Sequence, residues 1–200
     1  MSDMLKLQRP LHYLHGEQRE AVDGSVGLTV QEAPLCQHLA LRGQAESATL
    51  RSAVRAVAGV ALPIVPLTCQ AHGGSRVFWQ APNEWMLVSD VQDSKSIADE
   101  LRLALAGEHA AVVDVSGGQT LLKLAGPALA TVLQKSCSYD FHPANFPVGK
   151  CVQTNLAKAG ALVARLEEDA ITLLVRRSFT DYIGQWLLDA ADEFGVRISG

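Results

Sequence analysis

Charge is scarce in this chain: Asp, Glu, Lys and Arg make up 19% of its 200 residues, against about 25% in typical soluble domains. Hydrophobic residues reach 48% and mean hydropathy is slightly positive. A chain so composed is expected to keep apolar surface for a partner to cover. Basic clusters are missing as well, and with a net charge of −4 there is no electrostatic footprint for nucleic acid or an anionic membrane surface. Cysteines are few and far apart. Cys36, Cys69, Cys137 and Cys151 form no CxxC and have no paired histidines nearby, which excludes the usual zinc and redox-dithiol spacings. Scattered thiols fit a reducing cytosol, so a cytoplasmic location is expected. The first residues, Met1-Ser2-Asp3-Met4-Leu5-Lys6, lack an apolar leader segment, and no uninterrupted apolar run approaches the roughly 20 residues that cross a bilayer.

What is present is organised around a central stretch, Asp114 to Pro127. Val112, Val113 and Val115 give a β-branched run, and Asp114-Val115-Ser116-Gly117-Gly118 reads as the turn of a hairpin whose second strand is Gln119 to Leu124. Gly126-Pro127 ends that strand and places Pro127 at the first position of a helix. Leu129, Val132 and Leu133 share one face of it.

Residues 1–24 show no sustained period and read as an irregular arm of the kind that lies across a partner subunit. Val26, Leu28 and Val30 alternate with polar or small residues as a strand does, and Leu39 with Leu41 marks another. Ser47 caps a helix carrying Leu50, Val54 and Val57, which Gly59 ends. Val77 to Gln80 and Trp85 to Val88 form a hairpin around Pro82-Asn83-Glu84. Ser96 with Asp99 starts a further helix in capping-box fashion. With the strand at 111–116 the order is βαββαβ, the split-βαβ pattern. The second half repeats it: strands at Cys151–Leu156, Ala161–Leu166 and Ile171–Val175, then a helix capped by Ser178, with Tyr182, Trp186, Leu187 and Ala190 as its apolar stripe and Gly195 as its stop. The fold class is therefore α+β, two related ferredoxin-like halves, with an arm at 1–24, a first half at 25–116 and a second at 117–200.

Several spaced motifs carry a family likeness: Asp114-Val115-Ser116, Leu122-x-Leu124-x-Gly126-Pro127, Asp140-Phe141-His142-Pro143, Phe146-Pro147-x-Gly149-x-Cys151-x-Gln153-Thr154 and Arg176-Arg177-Ser178-Phe179-x-Asp181-Tyr182. Together they resemble the gamma subunit of heterotetrameric sarcosine oxidase over most of the chain. Residues 112–189 more distantly resemble the folate-binding aminomethyltransferase, the T-protein of the glycine cleavage system. The resemblance implies a T-protein-like fold and a non-catalytic structural subunit, with alpha, beta and delta subunits as partners. It implies a complex that demethylates sarcosine oxidatively to glycine, with hydrogen peroxide and one-carbon transfer to tetrahydrofolate. FAD, FMN, NAD, tetrahydrofolate and zinc then belong to the partner subunits, and this chain has no cofactor, metal site or catalytic residue of its own. The alternative is a free-standing folate-binding one-carbon transferase. In the T-protein family an acidic pair precedes the strand that runs here from Ala161 to Arg165. The corresponding place reads Lys158-Ala159-Gly160, and no Asp or Glu occurs from Phe141 to Leu166. General acid or base work has no carboxylate in that segment.

Candidate interface or structural residues are Asp114, His142, Phe146, Arg176, Arg177 and Trp186. Asp114 suits a ligand contact or, more simply, its own turn amides. His142 beside Asp140 suits an acid–base pair or, with Pro143 next to it and no nucleophile near, a structural or interface role. The Arg176-Arg177 guanidinium pair suits a phosphate or folate tail, or an acidic group on a partner or on the chain itself. Trp186, like Trp79 and Trp85, suits the core or a subunit contact.

Overall fold

The computed structural model describes residues 8–90 and 96–200. In chain order these form β1 (Gln18–Arg19), β2 (Leu28–Glu32), β3 (Gln37–Arg42), α1 (Ala48–Ala58), β4 (Cys69–His72), β5 (Ser75–Ala81), β6 (Glu84–Ser89), α2 (Ile97–Ala104) and β7 (Ala111–Asp114). There follow β8 (Gln119–Ala125), α3 (Leu129–Ser136), β9 (Cys151–Leu156), β10 (Ala159–Glu167), β11 (Ala170–Arg176), α4 (Arg177–Ala190) and β12 (Val196–Ser199).

Two sheets share the strands, one in the order β4-β5-β6-β3-β7 and the other β1-β12-β2-β8-β11-β10-β9. Within the first, β5-β6-β3-β7 is a split-βαβ arrangement, with α1 and α2 as the crossovers and β4 added at the edge. The second repeats it as β10-β11-β8 with β12, and β9 is the added edge strand. One difference breaks the repeat. β2 inserts between β8 and β12, antiparallel to the first and parallel to the second, so a strand from early in the chain completes the later sheet.

Strand alternation sorts the side chains into three apolar layers. Leu39, Leu41, Trp85 and Leu87 face α1 and α2, while Leu122, Leu124, Val163 and Leu173 face α3 and α4. The intervening residues Met86, Val88, Leu121, Leu162 and Leu174 meet between the two sheets. The central strands are buried on both faces, which is why runs such as Leu173-Leu174-Val175 are continuously apolar rather than alternating. Ser47 accepts the Leu50 amide at 3.1 Å and Gly59 turns left-handed at φ 70°, so α1 begins and ends as its sequence demands.

Six expectations need correction. The strands around Ser116-Gly117 are not a hairpin, because β7 pairs with β3 in one sheet and β8 with β2 and β11 in the other. The turn binds sideways to β3 instead: Val115 N donates to His38 O (2.8 Å) and His38 N to Ser116 Oγ (3.0 Å). The arm, from Arg9 onward, is not irregular but is packed on its own chain. Leu11 and Leu14 are buried against α4, Glu32 receives the Leu11 amide (3.1 Å) and His15 Nε2 (2.7 Å), and β1 pairs with β12. Pro127 lies in the turn before α3, whose N-cap is Ala128. Ser96 is an N-cap by position without a side-chain bond to the helix, and Ser178 is inside α4, whose N-cap is Arg176. Trp186 and Tyr182 lie at the flank of α4. Its buried face is Thr180, Ile183, Gly184, Leu187 and Leu188, because Gly184 opens room for Leu11 and Leu14, and a Cβ there would meet Leu11 Cδ2 at 2.7 Å.

Candidate functional site

A groove of about 560 Å³ opens where the two sheets part at the ends of β8, β9, β10 and β11. Its lining includes Leu162 and Leu174, which also belong to the layer between the sheets, together with Gln80, Gln119, Gln153 and Arg176. Gln153 Nε2 donates to Gln80 O at 2.8 Å and ties the two sheets together there. Among the described residues Arg176 is the only charged side chain in the lining, and neither Asp nor Glu faces it. Such a surface offers hydrogen bonds and one guanidinium fork, but no group that takes or gives a proton near neutral pH.

Arg176 and Arg177 are parted by the start of α4. Arg176 faces the groove, whereas Arg177 donates from Nη2 to Gln8 O (2.6 Å) and fixes the arm. Asp114 is exposed. Its Oδ1 accepts the Ser116 amide at 2.8 Å, and bonding from Ser116 holds its carboxyl below the usual range. Asp140 serves the next loop in the same way. Its Oδ1 accepts the His142 backbone amide (2.9 Å), its Oδ2 accepts Asn145 Nδ2, and these bonds lower its pKa. His142 itself is exposed and accepts the Ala144 amide at Nδ1 (3.3 Å), so the two side chains form no acid–base pair.

Phe146 is fully buried, edge-on to Phe141 and Tyr139 at ring separations of 5.1 and 5.7 Å. Beneath this aromatic cluster lies Arg165, 6% exposed, which escapes the sequence reading. Its Nε donates to Phe146 O (2.7 Å), Nη1 to Glu168 O (2.7 Å) and Nη2 to Phe141 O (3.0 Å). A lone arginine on the apolar face of β10 is the sequence feature that marks it. Trp186 is half-buried and donates from Nε1 to Ser136 Oγ (3.0 Å), joining α4 to α3. The six candidate residues therefore do not converge.

A second polar cluster, also unmarked by the sequence, sits where β3 begins. Arg76 pairs bidentately with Asp90 at 2.7 and 2.8 Å, and Cys36 Sγ points to Asp90 Oδ1 at 3.4 Å. Burial and Asp90 push the Cys36 thiol up to about 12, so it is no nucleophile at neutral pH. His38 is 3% exposed, and its ring nitrogens make no hydrogen bond of good geometry among the described groups, the Cys36 backbone being only a marginal partner. Burial lowers its pKa, opposed by the Cys36 backbone and by the charges of Asp114 and Asp90. Because the unfolded chain then takes up the proton first, His38 costs stability as pH falls below about 6.5. Urea unfolding between pH 7.5 and 5.5 should show a shallower loss for His38→Leu than for the parent. Equal slopes would exclude this contribution.

The comparisons with known proteins agree with this geometry. The model of the sarcosine oxidase, gamma subunit family matches residues 42–193. The sarcosine oxidase subunit gamma of Corynebacterium sp. (strain U-96) is 35% identical over 199 residues, covering 98% of this chain and 96% of the relative. The Arthrobacter sp. subunit gamma is 37% identical over 144 residues, 72% of this chain and 70% of that one. Among solved structures, a chain of the heterotetrameric sarcosine oxidase from Corynebacterium sp. U-96 in complex with pyrrole 2-carboxylate superposes with a TM-score of 0.82 at 34% identity, covering 94% and 96% of the two chains. The glycine cleavage system aminomethyltransferase T from Bartonella henselae shares the fold, at TM-score 0.66 and 13% identity, over 95% of this chain and 57% of the transferase. With its T-protein-like fold, and matched almost end to end by the Corynebacterium sp. U-96 subunit in both sequence and structure, this chain belongs to the sarcosine oxidase gamma subunit family.

Proposed function

We propose that this gamma subunit gives its complex structure and no catalytic residue. The complex it serves demethylates sarcosine oxidatively to glycine, with hydrogen peroxide as co-product and the one-carbon unit passed to tetrahydrofolate. The alpha, beta and delta subunits are its partners in the cytoplasm, and FAD, FMN, NAD, tetrahydrofolate and zinc are held by them. Asp114, His142, Phe146, Arg176, Arg177 and Trp186 act as structural or interface residues.

The observation that carries this reading is the engagement of the acids in the singled-out motifs, of which the third, Asp181, accepts the Tyr13 hydroxyl. Asp114 and Asp140 are both committed to the amides of their own turns and both have pKa values displaced downward, away from neutrality. Neither is poised as a general acid or base. Replacing Asp114, His142, Arg176 or Arg177 by Ala in the assembled enzyme should leave kcat per flavin within a few-fold of the parent. A direct acid–base role contributes about 10²–10⁴-fold. A hundredfold fall for any one of them, in enzyme with full flavin content and all four chains, would overturn the proposal.

The T-protein-like fold also favours a second reading, a free-standing folate-binding transferase. The absence of Asp and Glu from Phe141 to Leu166 weighs against it. Equilibrium dialysis of the isolated chain against tetrahydrofolate separates the two, and no tight binding is expected.

A further inference from the structure

Exposed apolar side chains gather at one place on this molecule. Ile64, Val65 and Leu67 are 49%, 60% and 40% exposed, and Val148 is 45% exposed; Pro66 and Pro147 are exposed beside them. The two segments are joined at the edge where the sheets meet. Thr68 bridges Lys150, Cys69 N donates to Gly149 O (2.8 Å) and Cys151 N to Leu67 O (2.9 Å). Leu67 and Gly149 occupy equivalent positions in the two halves, each two residues before its edge strand, and both are left-handed, at φ 60° and 88°. Only glycine adopts that conformation freely. In the first half a leucine is held there with its side chain turned to solvent.

Strain of this kind persists where the surroundings enforce it, and it marks functional surfaces. Here the surroundings are firm. Thr68 Oγ1 donates to Val65 O (2.6 Å), Trp85 Nε1 to Pro63 O (2.7 Å), and Cys69 and Cys151 are buried beneath. Three prolines, Pro63, Pro66 and Pro147, restrict the segments further. A rigid apolar surface loses little freedom on binding. Its charge restricts the occupant: from Ala56 to Ser75 the chain has no Asp, Glu, Lys or Arg, and the one charged side chain of the joined segment, Lys150, is turned to Asn145 O (2.7 Å), so a charged face would find little to pair with there. Depletion of charge at the centre is the mark of a protein–protein interface core.

The geometry points to Ile64-Val65-Pro66-Leu67 with Pro147-Val148 as the surface by which this chain docks on an uncharged apolar face of a non-identical subunit. This rests on the reading of the chain as one subunit of a heterotetramer.

Val65→Glu and Leu67→Gly test it in the co-expressed, affinity-purified complex. Val65→Glu puts a charge on the patch. Leu67→Gly removes the side chain while relieving the backbone, so the isolated chain should unfold at an unchanged or higher temperature. Both variants should reduce the gamma chain recovered per flavin at least tenfold after gel filtration. Leu103→Glu, on the 79% exposed outer face of α2, should leave recovery unchanged. Full retention of both patch variants overturns the proposal, as does equal loss with Leu103→Glu. So does self-association of the wild-type chain that Val65→Glu abolishes while the complex stays whole. If the wild-type chain never assembles with other subunits, the underlying reading fails instead.

Discussion

Arg165→Ala is expected to destabilise the chain by about 3–5 kcal/mol, because it removes three charge-assisted hydrogen bonds of roughly 1.5–3 kcal/mol each and recovers only part of that from the guanidinium no longer desolvated. The three acceptors, Phe141 O, Phe146 O and Glu168 O, belong to one loop and one hairpin turn. Without the fork, the carbonyls of Phe141 and Phe146 face an apolar layer unpaired. Arg165→Lys should recover little of the loss, since an ammonium group is a point donor and not a planar fork. Equilibrium urea unfolding gives the magnitude, and near-ultraviolet circular dichroism reports on Tyr139, which packs on both phenylalanines. A change under about 1 kcal/mol would mean that water replaces the fork without penalty.

Trp85→Ala should cost as much, about 3–5 kcal/mol for truncating a buried aromatic, with the bond from its Nε1 to Pro63 O lost in addition. Trp85 is fully buried among Leu39, Leu87 and the helices α1 and α2, on β6, the middle strand of its sheet, which joins β4 and β5 to β3. Domain stability is typically about 5–15 kcal/mol, so roughly a fifth or more of it is at stake. Trp85→Phe separates the two contributions by keeping the ring and deleting the donor. Trp186→Ala, at a half-buried flank, should cost clearly less, and a larger effect there than at Trp85 would contradict the assignment of the layers.

The strands and helices were legible in the sequence where local chemistry decides them. Ser47 and Gly59 bound α1 with the cap and the left-handed turn their side chains favour, and the apolar runs at 85–88 and 171–175 are strands. Pairing was less legible, because it depends on groups remote in sequence. Gly117-Gly118 has the composition of a hairpin turn, yet the amide of Val115 and the hydroxyl of Ser116 bind His38, 77 and 78 residues away. The same holds for β2, whose alternation marks a strand without saying that it inserts between β8 and β12. On α4, helical spacing allows either of two neighbouring stripes. Gly184 against Leu11 and Leu14 selects the one that omits Trp186, and that contact is set by the fold of the arm. Of the site, the motif residues were visible one by one, but not that Asp114 and Asp140 serve their own turns while Arg176 faces the groove with Gln153 and Thr154. Arg165 was hidden among apolar neighbours in β10.

The central claim is that this chain is a structural member of a larger enzyme. The most direct measurement is purification of the affinity-tagged chain from its native host, followed by subunit stoichiometry and flavin content of the product. The chain should emerge with three different partner chains in equal amounts and with flavin absorbance that the separated chain lacks. Recovery as a monodisperse monomer, free of flavin and of companion chains, would contradict it.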